Sequence, residues 1–265
     1  MSAWRAVNTG LMNGPANMAI DETLLRGVAE GTSPPTIRVF GWSPPTVSVG
    51  HSQNLDRELD LEACRRAGEG VVRRPTGGRA VLHSGELTYS VAGGGVQEGL
   101  GRTVMETYLL IARALVRGLG KLGVPAQLST GSGSARPRGQ VATPPCFASA
   151  GRYEVVVSGR KVIGSAQRRM GEAVLQHGSL LLDRSHVEIA DLMRIPERRR
   201  ADVRKALEEG TTDLTSLIGR TPTFEETAAA ILSGFEDEWE VSLVHESLTR
   251  EERELAGRLA SEYVV

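Results

Sequence analysis

Lysine is the scarcest charged residue in this chain. Lys121, Lys161 and Lys205 stand against 28 arginines. Cysteine is scarcer still, and the two present, Cys64 and Cys146, exclude a disulfide framework. Neither has a CxxC or His-spaced partner, so no zinc centre is expected. No apolar run approaches the roughly 18 residues of a membrane span. The opening MSAWRAVNTG lacks the charged and apolar regions of a secretory signal. The formal charge of -1 gives no global reason to expect nucleic acid or a membrane surface as partner. These absences together predict a soluble, reduced, cytoplasmic protein. They also make single residues conspicuous. Arginine cannot serve as a base near neutral pH, so a lysine in an arginine-rich setting stands out.

What is present is an ordinary globular composition. At 265 residues and 40% hydrophobic the chain can build a real core. No internal repeat or long linker divides it, which predicts a single domain over 1–265 with a helical C-terminal extension from about residue 185. A short strand is expected over 3–8. A helix is expected from Pro15 to about Glu30, with proline in its first turn. TIRVFGW (36–42) and TVSVGH (46–51) read as strands around Ser-Pro-Pro, which cannot continue a ladder. LDRELDLEACRRAG reads as one helix ending at Gly68 and carrying Cys64 as a structural residue. Three strands follow at 71–74, 79–83 and 86–92, the first two joined by Pro75-Thr-Gly-Gly78. Over 103–122 a helix places Val104, Tyr108, Ile111, Leu115 and Leu119 along one side. Residues 129–145 hold almost no large apolar side chains and predict a surface segment. A hairpin turns at Ser158-Gly159, and 173–183 is a further strand. Helical patterning takes over from Ser185, with a last helix near 248–261. The layout is α+β rather than repeating βαβ.

Three constellations carry possible chemistry. In RRPTGGRAVLH (73–83) two glycines allow a ligand close to the backbone, and Arg73, Arg74 and Arg79 surround them with permanent positive charge. The segment is either an anion-facing ligand loop or a hairpin turn with solvated arginines. It lacks the Lys-Ser/Thr ending of a Walker loop. Second, Cys146 sits in a Pro-Pro-Cys-Phe loop and Lys161 follows in a strand. A nearby ammonium favours a thiolate, and a thioester is readily formed and readily attacked by an amine. The bland alternatives are a buried cysteine and a solvated hairpin lysine. Third, His83 and His177 close or occupy strands, as substrate contacts or as satisfied structural histidines. No GxSxG signature is present.

NMAIDETLL (17–25), VVRRPTGGRAVLHSGELTYSV (71–91), CFASAGRYEVVVSGRKVIGSAQRR (146–169) and LQHGSLLLD (175–183) together resemble the lipoate/biotin protein ligase superfamily, most closely its LipM-type octanoyltransferase branch. The resemblance runs from about residue 3 to 185. It implies a biotin/lipoate protein ligase-like catalytic domain, with a mixed or antiparallel sheet core flanked by helices. It implies transfer of octanoyl from octanoyl-acyl carrier protein, through a Cys thioester, to a lysine of the glycine cleavage H protein or of a lipoyl domain. On this resemblance Cys146 is the acyl-accepting cysteine and Lys161 the pocket lysine. Arg73, Arg74, Thr76, Gly77, Gly78 and Arg79 form the loop over the acyl group, and His83, Gly164, Ser165 and His177 line the same pocket. Arg79 stands where the ligases show a third glycine. No ATP, metal or other cofactor is implied, and a monomer is the default. An ATP-dependent lipoate-protein ligase domain and a catalytically silent carrier-binding module are the competing expectations.

Overall fold

The computed structural model describes residues 4–131 and 153–265. Cys146 and most of the 129–145 segment lie outside the described residues.

Two sheets form the frame. Strands β1 (Trp4–Met12), β2 (Thr36–Trp42), β6 (Glu86–Gly94), β7 (Gln127–Leu128), β8 (Val155–Val157), β9 (Arg160–Met170), β10 (Ala173–Leu181) and β11 (Leu243–His245) make an eight-stranded sheet in the order β11-β1-β2-β6-β10-β9-β8-β7. The β11–β1–β2 side is parallel and the rest antiparallel, so the sheet is mixed. Strands β3 (Thr46–Val49), β4 (Gly70–Arg73) and β5 (Val81–His83) make a small second sheet with β3 in the middle.

That second sheet removes one of the two alternatives for the Gly-Gly segment. The strands on either side of Pro75–Gly78 do not pair with each other. β4 lies parallel to β3 on one edge and β5 antiparallel to it on the other. The Pro-Thr-Gly-Gly segment is therefore a crossover passing the end of β3 rather than a hairpin turn. By contrast β8 and β9 are joined by a tight turn at Ser158 and Gly159. Both have positive φ, 49° and 77°, as a type I′ hairpin turn requires.

Helix α1 (Gly14–Glu30) starts at Asn13, whose side chain accepts from the Ala16 amide, and stops at Gly31 in the left-handed region. It packs across the sheet and buries polar Asn17 and Asp21 together with Met18, Leu24 and Leu25. The segment expected to be one helix over 55–68 is two, α2 (Leu55–Glu58) and α3 (Leu61–Ala67). Buried Leu59 bridges to Met193, and Asp60 donates its amide to Leu192 before capping α3. Tertiary pairing thus overrides the helical charge pattern. Cys64 is fully buried in the cluster under the small sheet, and burial pushes its thiol up to about 11.

Helix α4 (Val104–Lys121) opens with a capping box between Thr103 and Glu106. Its buried side runs through Thr107, Ile111, Leu115 and Leu119, whereas Val104 is exposed. After a 3-10 turn at Ser185–Glu188 come α5 (Ile189–Leu192), α6 (Glu197–Gly210), α7 (Leu214–Ile218), α8 (Phe224–Trp239) and α9 (Arg250–Leu259). Ile231 and Phe235 of α8 join Trp4, Tyr89 and Leu115 in the main core. Short β11, inside the region read as helical, extends the sheet beside β1. Among the described residues no helix is long and apolar enough to cross a membrane.

Candidate active site

The small sheet, α1 and the β6–β10–β9 face enclose a cleft of about 420 Å³, part of it open solvent. Met18, Trp42, Val81 and Ala166 give it apolar wall, and Ser48, Arg74, His83, Thr88, Ser165, His177 and Ser179 bring polar groups to it. Those groups bond mostly to one another, so the wall turns mainly carbon toward the space. Glycines let the strands close there. A Cβ at Gly178 would meet Ser165 Oγ at 2.5 Å and the Gly164 carbonyl at 2.6 Å.

Asp21 anchors the first chain of hydrogen bonds. Its Oδ1 accepts from Arg38 Nη1 and from Ser90 Oγ, each at 2.8 Å, and its Oδ2 lies 2.9 Å from His177 Nδ1. Burial alone would raise its pKa, but the bond from His177 and the charge of Arg38 outweigh it and hold the carboxyl below the usual range. An ionised carboxylate only accepts, so Nδ1 of His177 carries hydrogen. Burial lowers the proton affinity of His177 more than Asp21 raises it, so the ring is neutral near pH 7. Its Nε2 is then an acceptor, and the Thr76 hydroxyl, 2.6 Å away, donates to it.

A second chain runs beside it. Arg74 Nη1 donates to Ser48 Oγ at 3.0 Å, and the same hydroxyl lies 2.7 Å from His83 Nε2. His83 Nδ1 lies 2.8 Å from Glu86 Oε1, which also accepts from Thr88 and from Ser179 Oγ. Trp42 stacks on His83 with centroids 4.0 Å apart and donates its indole N–H to Thr88. The second carboxylate oxygen of Glu86 is buried with no hydrogen-bond partner among the described residues.

The three arginines of the loop diverge. Arg74 is buried and clips the crossover from inside, donating to the carbonyls of Gly77 (2.8 Å), Arg79 (2.7 Å) and Ser48 (3.0 Å). Arg73 points elsewhere and gathers the carbonyls of Gly50, His51 and Gln53. Arg79 is half-buried, and Gly77 and Gly78 are exposed at the tip. Arg73, Gly77, Gly78 and Arg79 do not line the cleft; Arg74, His83, Gly164, Ser165 and His177 do. Thr76 reaches it through His177.

Lys161 is buried and pairs with the carboxylate of Glu154. Val155 pairs with Ile163 and Val156 with Lys161, so Val162 is an extra residue in β9. Such a bulge re-aims neighbouring side chains. The backbone of Lys161 is fixed from the other side, its carbonyl accepting from the Thr212 amide at 2.9 Å. Lys161 is not among the cleft-lining residues. No group of three His, Cys, Asp or Glu among the described residues is placed to hold a metal ion.

Asp21, Arg38, Glu86 and Glu154 were not singled out from the sequence. A signal existed for two of them. Asp21 falls three residues after Met18 and four before Leu25 on a buried helix face, and Arg38 interrupts the otherwise apolar-aromatic TIRVFGW.

A structural frame of this kind has known counterparts. The description "Lipoyl protein ligase A/B catalytic domain" matches residues 13–236. A bi-partite lipoate protein ligase from Thermoplasma acidophilum superposes with a TM-score of 0.79 at 21% identity, over 99% of this chain and 93% of that one. Lipoate-protein ligase A bound with ATP gives 0.77 at 20%, over 99% and 95%. At that identity the likeness establishes the fold. In sequence the chain is 41% identical to octanoyltransferase LipM of Kyrpidia tusciae, over 100% of this chain and 97% of that protein. It is 43% identical to octanoyltransferase LipM of Symbiobacterium thermophilum (98% and 95%) and 38% identical to that of Bacillus subtilis (97% and 94%). The chain therefore belongs to the lipoyl protein ligase A/B catalytic-domain family and, within it, to the LipM octanoyltransferases.

Proposed function

We propose that this protein moves an octanoyl group from octanoyl-acyl carrier protein to Cys146, and from Cys146 to a lysine of a lipoyl-accepting protein, the glycine cleavage H protein or a lipoyl domain. The observation that carries this reading is identity near 40% with LipM octanoyltransferases along the whole chain. The apolar-walled cleft beside a Gly-Gly crossover supports it.

In the first half-reaction the Cys146 sulfur attacks the thioester carbonyl. A C–S bond to Cys146 forms, the C–S bond to the carrier breaks, and the proton of one thiol passes to the other. In the second half-reaction the acceptor amine attacks the new thioester and an amide results. Both steps start from an activated thioester, so neither calls for ATP. The eight-carbon chain would gain roughly 0.8 kcal/mol per buried CH₂ in the cleft. Lys161, buried beside Glu154, would supply positive charge to the thiolate and exchange protons with the reacting groups. Backbone N–H groups near Gly77 and Gly78, or near Cys146, would serve the oxyanion.

Intact-protein mass spectrometry after mixing with octanoyl-acyl carrier protein, without ATP, tests the reading. The expected result is a hydroxylamine-labile octanoyl adduct on the Cys146 peptide, discharged by added lipoyl acceptor and absent in Cys146→Ala. No adduct, with ATP-dependent labelling of the acceptor by free lipoate, would establish a ligase instead.

A further inference from the structure

We propose that Ser48, His83 and Glu86 form a second nucleophilic centre in the cleft, a serine that takes an acyl group as an oxyester and passes it to water. The activity goes beyond transfer, because Cys146 has no part in it. It rests on the reading above for the cleft's occupant, an octanoyl thioester. The sequence has no GxSxG signature, but a triad is recognised by geometry rather than by chain order. Here its members come from three strands. In the β3–β5 ladder Ser48 pairs with Val81 and Thr46 with His83. Side chains two apart share a face of a strand, so Ser48 and His83 are diagonal neighbours on one face, within reach of each other. That face borders the cleft, which Ser48, Val81 and His83 all line. Ser48 is shut off from open solvent, so it meets only what the cleft admits. Glu86 follows at the start of β6.

The bond directions are those a nucleophilic serine requires. A guanidinium only donates, so Arg74 Nη1, 3.0 Å from Ser48 Oγ, occupies a lone pair of that oxygen and leaves its hydrogen for His83 Nε2 at 2.7 Å. Nε2 then accepts, and the ring hydrogen sits on Nδ1, 2.8 Å from Glu86 Oε1. Trp42, stacked on the imidazole, holds the plane of the ring. The base thus touches the nucleophile and is itself oriented by a carboxylate. Arg74 also lines the cleft and puts positive charge beside the oxygen that turns negative. The array of Thr76, His177 and Asp21 has the same order of groups, but Thr76 does not line the cleft.

Every proton stays within the centre. Ser48 Oγ attacks the thioester carbonyl while its hydrogen passes to His83 Nε2. The C–O bond to Ser48 forms, the C–S bond breaks, and the departing sulfur takes the proton from Nε2. Water then attacks the oxyester. One of its hydrogens goes to Nε2 and from there to Ser48 Oγ as the C–O bond breaks, and octanoic acid leaves. The sum is thioester plus water giving acid plus thiol, with no other reactant.

Two probes test the centre. An octyl fluorophosphonate exchanges its fluoride for the oxygen of an activated serine, the proton leaving with the fluoride. Peptide mapping of wild-type enzyme, which needs no variant to fold, should place the octylphosphonyl group on Ser48. The second probe is octanoyl-pantetheine, offered to Cys146→Ala, in which the transfer route is removed. That variant should release octanoate. Adding Ser48→Ala or His83→Gln to it should lower kcat for release about 10²-fold or more, the scale of lost general-base assistance. Glu86 acts through His83 as a positioning residue, so Glu86→Gln should lower kcat with KM held. Melting temperatures check that each variant is folded. A wild-type enzyme unlabelled at Ser48, or octanoate release that is absent or indifferent to Ser48→Ala, would overturn the proposal. Loading of wild-type Cys146 from octanoyl-acyl carrier protein is read separately, as mass that neutral hydroxylamine removes and an oxyester would keep. The transferase reading therefore stands or falls apart from Ser48.

Discussion

Asp21 and Arg38 form an ion pair in which neither side chain has any exposure, with Oδ1 and Nη1 2.8 Å apart. Arg38 also donates to the backbone carbonyl and side-chain oxygen of Asn17 and to Thr9, and lies 3.8 Å over the Phe40 ring. Four of the five N–H directions of the guanidinium are used, which helps make a charge tolerable there. Asp21 is the carboxylate that orients His177, so the pair ties core integrity to the site.

Arg38→Met removes the cation and leaves the carboxylate buried. Breaking a buried pair from one side costs about 3–5 kcal/mol. Denaturant unfolding should show that loss. The neutralised double variant Asp21→Asn/Arg38→Met should recover part of it, because it strands no charge. Equal instability of single and double variants would mean that packing around Arg38, rather than charge, dominates.

Much of the frame is legible in the sequence because its signals are local. Proline and an Asn cap start α1, a two-residue Ser-Gly turn makes the β8–β9 hairpin, and a capping box starts α4. What is not legible depends on partners far along the chain. Leu59 leaves the helical path because Met193 and Leu192 receive it. β11 is three residues long and exists only beside β1. Pro-Thr-Gly-Gly suits a crossover as well as a hairpin, and only pairing of both flanking strands to β3 decides between them. The site divides in the same way. Residues on the Gly-Gly crossover and the histidines announce themselves by type, whereas the carboxylates that orient them read as ordinary surface charge until burial is known.

Lys161→Arg separates charge from proton exchange. The variant keeps a cation beside Glu154 but cannot be deprotonated near neutral pH. Octanoyl transfer should fall about 10²-fold, comparable to Lys161→Ala, with the melting temperature close to wild type for the arginine. Near-normal transfer by Lys161→Arg would reduce the lysine to a fixed counter-charge.

Stability should fall on acidification in two stages. In the unfolded chain an imidazole binds a proton below about pH 6.5. Folded His177 resists until lower pH, because burial lowers its pKa. The unfolded state therefore binds more protons in that window, and stability falls as pH drops through it. The second stage belongs to Asp21 and Glu252. Burial would raise Glu252, but Arg5, at 2.6 and 2.9 Å, and Ser33 hold it below its usual value. Such carboxylates stabilise above their unfolded pKa, and the contribution is lost as pH falls through the folded one. Urea midpoints against pH should show both steps. His177→Gln should reduce the first, to which buried His186 also contributes, and Glu252→Gln reduce the second.

Gly50→Ala should harm transfer more than it harms folding. A Cβ on Gly50 would lie 2.0 Å from the Gly78 carbonyl oxygen and 3.1 Å from the Gly77 carbonyl carbon, both backbone atoms of the crossover. The crossover must move outward, which strains the bond its Thr76 carbonyl accepts from the neighbouring His51 amide. Thr76 then leaves His177, and Arg74 loses its hold on Gly77. Gly234→Ala is the control. Its Cβ would lie 2.3 Å from the Gly118 amide and 2.5 Å from the Ala114 carbonyl, where α8 crosses α4 within the main core. Overpacking of this kind costs about 1–3 kcal/mol, occasionally more. Gly234→Ala should therefore lose stability while its folded fraction transfers octanoyl normally. Gly50→Ala also loses stability, but its folded fraction should lose most of its kcat. Should the two variants show the same ratio of activity to folded protein, the crossover would not be positioning the reacting groups.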